Sequence, residues 1–102
     1  MHLHNVFFTL KDSSRDKQDA LAQGCLRYLK QTPGVVFFSV GTRNEACVRD
    51  VNDLGFHVAL TVLFENQEAH DRYQTAENHN RFVEVFKDNW AGARVFDSAV
   101  HV

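Results

Sequence analysis

The stretch Phe56-His57-Val58-Ala59-Leu60-Thr61-Val62-Leu63-Phe64 decides the fold. Its side chains alternate between two faces, as an extended chain requires. Phe56, Val58, Leu60, Val62 and Phe64 make one unbroken apolar face. His57, Ala59, Thr61 and Leu63 make a smaller, mixed one. A strand with one face against helices and the other against a second sheet explains the asymmetry. Upstream, Val35 to Val40 is β-branched and aromatic and predicts a strand that stops at Gly41. The polar run Thr42 to Leu54 between the two strands predicts a loop or hairpin connection.

Further towards the start, Leu3 to Leu10 alternates in the same way, with His4, Val6, Phe8 and Leu10 opposite Leu3, Asn5, Phe7 and Thr9. Aromatic residues stand on both faces, so both are expected to be covered. Asp12, Ser13 and Ser14 offer oxygens for a helix N-cap, and Leu21, Cys25 and Leu29 follow at helical spacing up to the stop at Pro33-Gly34. Downstream, Asn66 predicts the cap of a second helix carrying Ala69 and Tyr73. After a break near Ala76 to Asn78, helical spacing resumes through Phe82, Val83, Phe86 and Trp90, with Gly92 as its stop. Ala93 to Val100 predicts a final strand. The order βαββαβ is a ferredoxin-like α+β pattern: a four-stranded antiparallel sheet with helices on one face. Its other face, with Phe7 and Leu63, is too apolar for water. Two copies closing face to face into a dimeric α/β barrel would cover it.

Composition supports one domain, residues 1–102, of ordinary globular make-up: 44% hydrophobic and 24% charged. Nine Phe residues in so short a chain again favour a covering partner. A net charge of −2 with mixed signs offers no basic stripe, so nucleic acid is not an expected partner. The apolar run Val35–Phe38 is far too short to cross a membrane. His2 and His4 stand where a signal peptide would carry its charged start, and a cytoplasmic location is expected. Cys25 in a helix and Cys47 in a loop form no motif and read as free thiols.

The segment His4-Asn5-Val6-Phe7-Phe8-Thr9-Leu10-Lys11-Asp12, the Pro33-Gly34-Val35 and Gly41 punctuation, the run from Gly55-Phe56 to Phe64-Glu65, and Tyr73 six residues before His79 together resemble the stress-responsive A/B barrel (Dabb) family. The resemblance covers roughly residues 2 to 98. It implies a ferredoxin-like homodimer. A plant member, olivetolic acid cyclase, closes a polyketide chain by aldol condensation with no cofactor, so none is expected here. By that likeness His79 corresponds to a catalytic histidine, Tyr73 to the tyrosine assisting it, and His4 to a pocket histidine. His57 stands one position from the family's mid-strand histidine, and a one-residue shift in a strand changes the face. The usual His-Pro-x-His reads here Ala76-Glu77-Asn78-His79.

Catalytic expectations therefore fall on His79 and Tyr73, and ligand-binding ones on His4 and His57. An imidazole titrates near neutrality and can take a proton beside a carbonyl, while a phenol can donate to the resulting enolate oxygen. Ligand contact without chemistry and a local helix-capping role are also open to His79. Tyr73 also fits a helix anchor with its hydroxyl at the surface. His2-x-His4 has metal-chelating spacing, but no cysteine or carboxylate lies at a fitting sequence interval, and no metal site is expected. The functional expectation is a homodimer that binds a small apolar or carbonyl-bearing molecule. The alternative is a cofactor-independent polyketide-type cyclase or isomerase using His79 as general base.

Overall fold

The computed structural model describes residues 1–102. Four strands, β1 (His2–Leu10), β2 (Val35–Thr42), β3 (Val58–Phe64) and β4 (Trp90–Ala99), form one antiparallel sheet in the order β2-β3-β1-β4. Helices α1 (Arg15–Tyr28), α2 (Gln67–Thr75) and α3 (Glu77–Phe86) accompany it. The expected ferredoxin-like topology is therefore present.

The alternation in β1 and β3 places the core. His4, Val6, Phe8 and Leu10 are buried, as are Val58, Leu60, Val62 and Phe64. They pack with Leu21, Cys25 and Leu29 of the first helical segment and with Ala69, Tyr73 and Phe82 of the later ones. Opposite them, Leu63 pairs with Leu3 on one side and Phe37 on the other, and Phe96 pairs with Asn5. No helix covers this second face. Phe37 is 54% exposed and Phe96 51% exposed. Phe7 is held edge-on between Phe56 and Phe96, with ring centroids 5.1 and 5.8 Å away, so Phe56, which precedes β3, stands on the open side and not on the core face that alternation predicted for it.

The expected break near Ala76 divides the later helical segment into two helices, because Ala76 is extended (ψ 149°) and serves as the end of α2 and the start of α3. Asn78 holds the break open by donating from Nδ2 to the Tyr28 carbonyl (2.8 Å) and the Thr32 hydroxyl (2.9 Å) at the end of α1. Trp90 and Gly92, expected as helix anchor and helix stop, both lie in β4. The helix ends at Phe86, and a single 3-10 turn, Lys87–Asn89, follows. Asn89 there exchanges hydrogen bonds with the backbone of Asp12 (2.9 and 3.0 Å), and its carbonyl accepts from Lys11 N–H (2.8 Å). This docking brings the chain to the edge of β1 three residues earlier than its apolar spacing suggested.

Gly34 joins α1 to β2 at φ +89°. A Cβ there would stand 2.5 Å from the Ala69 Cβ. Gly34→Ala should therefore lower the free energy of unfolding by about 1–3 kcal/mol through backbone strain, with the steric clash adding to it. Chemical denaturation monitored by circular dichroism measures the change.

Candidate functional site

The break at Ala76 turns the last turn of α2 towards the first turn of α3, and this brings Tyr73 and His79 together. Their ring centroids are 4.8 Å apart at 69°. Tyr73 also meets Phe64 at 5.0 Å and His4 at 5.8 Å. These side chains line a cavity of about 300 Å³ between the sheet and the later helices. Val6, Phe8, Phe82 and Trp90 supply much of its apolar wall, and His4, His70 and Asp97 gather on its polar side. The cavity opens over β4, whose residues are almost all exposed.

The His79 side chain makes no hydrogen bond within the chain, and its Nδ1 is buried without a partner. The Trp90 indole Nε1 is buried and unpartnered too. Two of the three such side-chain atoms in the protein thus belong to residues lining one cavity. That concentration matters, because buried polar atoms are ordinarily paired.

Burial favours the neutral form of His4 and His79. Burial lowers the pKa of His79, and the neighbouring His4 lowers it further. For His4, burial outweighs the opposing pull of Asp97, whose Oδ1 accepts from Nδ1 at 2.6 Å, and the net shift is also downward. Burial pushes the Tyr73 phenol well above its ordinary range, and Cys25 adds to the rise. Tyr73 is therefore a proton donor and not a base at neutral pH. Only 1% of its surface is exposed, so the expectation of a hydroxyl reaching the surface is corrected. The buried Cys25 thiol is pushed up to about 12 by burial, which makes it an unreactive packing residue.

His4 lies in the cavity wall beside Tyr73 and His79, but His57 does not. The His57 Nδ1 accepts from the Leu10 backbone N–H at 3.0 Å, its own N–H donates to Phe8, and its carbonyl accepts from Arg43. These bonds finish the β1–β3 and β2–β3 pairings just beyond the start of β3, which is a structural role. Sequence reasoning missed Asp97, His70 and Trp90 as cavity residues. Asp97 is 93 positions from His4 yet directly opposite it across the β1–β4 ladder, so no sequence interval could signal the pair. The expectation that His2-x-His4 has no carboxylate to hand is corrected on the same ground.

The stress-responsive A/B barrel domain model matches residues 3–100. The chain belongs to the Dabb family. A structure from Arabidopsis thaliana superposes with TM-score 0.82 at 19% identity, covering 100% of this chain and 97% of that one. A Dabb protein with a ferredoxin-like fold from Mesorhizobium loti gives TM-score 0.80 at 21% identity, covering 99% and 97%. A hydroxynitrile lyase from Passiflora edulis gives 0.78 at 17% identity, covering 98% and 93%. At these identities the likeness is one of fold. Among curated proteins none matches the sequence.

The Dabb site should be sensitive to acid. His4 and His79 have folded pKa values below the ordinary 6.5, so the unfolded chain takes up more protons as pH falls. The stability they contribute is complete above about pH 6.5 and drains as pH drops through the folded values. His79→Gln removes one such group. Urea unfolding at about pH 7 and about pH 5 should show a smaller stability loss in this variant than in the wild type.

Proposed function

We propose that this Dabb protein is a homodimer that holds one small, largely apolar molecule bearing a carbonyl or similar acceptor in the cavity between sheet and helices. The observation that carries the reading is the pair of buried, unpartnered atoms, His79 Nδ1 and Trp90 Nε1, on residues of one apolar wall. Each unpaired polar atom costs about 1–3 kcal/mol, and a ligand that bonds to them recovers part of that cost. A cavity of about 300 Å³ stands at the lower end of the usual range for ligand sites.

The homodimer rests on the uncovered sheet face. Phe37 and Phe96 are half exposed, with the partly covered Phe7 against Phe96 and the already buried Leu63 beside Phe37, and exposed aromatic surface of this kind marks an interface. Solved fold neighbours from Thermobifida fusca and Bacteroides fragilis are described as dimeric. The helix-side cavity and the open face lie on opposite sides of the sheet, so pairing through the latter leaves the former accessible.

A second reading, the cofactor-independent cyclase or isomerase, is favoured by the contact of His79 with Tyr73. A neutral His79 would take the proton from a carbon beside the ligand carbonyl. The Tyr73 hydroxyl, which makes no hydrogen bond within the chain and is held protonated by burial, would donate to the enolate oxygen. The proton on His79 then returns to carbon or goes to the product.

Trp90 is the single tryptophan, so its fluorescence reports on the cavity. Titration with phenylacetone, a small apolar ketone, should give a saturable change, and His79→Leu should raise Kd about tenfold through a lost hydrogen bond. A non-saturable response, or an unaltered Kd in the variant, refutes the binding reading. In D2O the wild type should speed deuterium entry into the phenylacetone methylene, and His79→Leu should cut that rate by about 10²–10⁴. Exchange no faster than buffer removes the catalytic reading alone.

Sedimentation should give about twice 11.7 kDa, and Phe7→Lys should shift the chain towards monomer. A wild-type monomer at micromolar concentration overturns the dimer.

A further inference from the structure

Where the polar side of the cavity meets the sheet edge, three imidazoles converge on one carboxylate oxygen. His2 and His4 project from the same face of β1, Asp97 stands opposite His4 on β4, and His70 reaches down from the first turn of α2. Asp97 Oδ1 lies 2.9 Å from His2 Nε2, 2.6 Å from His4 Nδ1 and 3.6 Å from His70 Nε2. The donor atoms of all four side chains fall within 4.8 Å of one another.

We propose that His2, His4, His70 and Asp97 form a binding site for a divalent cation of the zinc class. Four donors on a tetrahedral ion at ~2.0–2.2 Å are separated by roughly 3.3 Å. The distances present bracket that value, so shifts of about an ångström or less complete the geometry. An ion entering would replace the protons now shared between the imidazoles and Asp97, and those protons would be released. Three imidazoles and one carboxylate favour zinc, nickel or copper over magnesium or calcium.

The surroundings of His70 fit a ligand role. Its Nδ1 bonds to Asp71 Oδ1 at 3.0 Å, the outer carboxylate that fixes a liganding imidazole's tautomer and leaves Nε2 to the metal. Gln74 Nε2 lies 3.2 Å from that His70 Nε2 and would give way to the ion. The His2 and His70 rings are stacked at 4.1 Å with their planes 20° apart, and the Nε2 atom of each lies within 3.6 Å of Asp97 Oδ1. Because these residues are on the helix side of the sheet, dimerisation through the open face leaves them free. The site does not depend on Tyr73 or His79, although His4, His70 and Asp97 also line the cavity. A bound cation would therefore place positive charge in its wall.

The test is isothermal titration of the untagged, metal-stripped chain with Zn²⁺. One ion per chain is expected, together with a higher Tm that excess EDTA reverses, and Co²⁺ should give the intense visible bands of four-coordination. His70→Ala should abolish stoichiometric binding. Asp71→Asn, at an exposed position outside the donor set, should weaken it by about 10-fold or more. His101→Ala, at the exposed end of the chain, should leave it unchanged. Binding well below one equivalent, equal competition by Mg²⁺, or Zn²⁺ affinity indifferent to His70→Ala in a variant with native circular dichroism overturns the inference.

Discussion

The alternation of side chains along β1 is the constraint on which both functional surfaces depend. β1 lies between β3 and β4, so its two faces set the character of the whole sheet. Its even-numbered residues carry His4 into the cavity wall and Val6, Phe8 and Leu10 into the core. Its odd-numbered residues put Phe7 on the uncovered side, against Phe56 and Phe96. A slip of one residue in pairing would reverse every assignment. It would bury Asn5 and Thr9 under the helices and expose Val6 and Phe8. The cost of that reversal fixes the register, and the register fixes the His4–Asp97 contact.

Around this frame the helices are shaped by polar anchors. Asn78 spends its amide on the end of α1, which stabilises a chain break between α2 and α3. A continuous helix would place Tyr73 and His79 six residues, about 600°, apart, some 120° from facing the same way. The break removes that mismatch and lets their rings meet. Asn89 acts similarly at the other end of α3, where its bonds to the β1–α1 turn deliver Trp90 to the sheet edge. Trp90 then closes the apolar part of the cavity against Phe8 and Phe82, at 5.0 and 5.8 Å.

These anchors explain what was legible in the sequence. Strands β1 and β3 could be read because burial on one face imposes a period of two, and α1 because Ser14 caps it and Leu21, Cys25 and Leu29 repeat along it. The start of β4 could not be read, since Phe82, Phe86 and Trp90 keep helical spacing while Asn89 makes long-range bonds that end the helix. Tyr73 and His79 were legible through family likeness. His70, Asp97 and Trp90 as cavity residues were not, because strand pairing and helix docking bring them together across large sequence separations. His57, chosen by its nearness to a family position, lies outside the cavity and makes hydrogen bonds to the backbone just before the start of β3.

The cavity is graded along β1, and the grading limits how a ligand can lie in it. His4 and Phe8 are four strand residues apart, about 13 Å, with ionisable groups gathered near the first and aromatic rings near the second. An apolar group placed at the His4 end would strip solvation from Asp97, whose carboxylate is 38% exposed, without giving it a new partner. A polar group at the Phe8 end would find only the Trp90 N–H to bond. Desolvation therefore favours a ligand with its apolar body against Phe8 and Phe82, any charged group towards His4, and its acceptor within reach of the unpartnered Trp90 and His79 nitrogens.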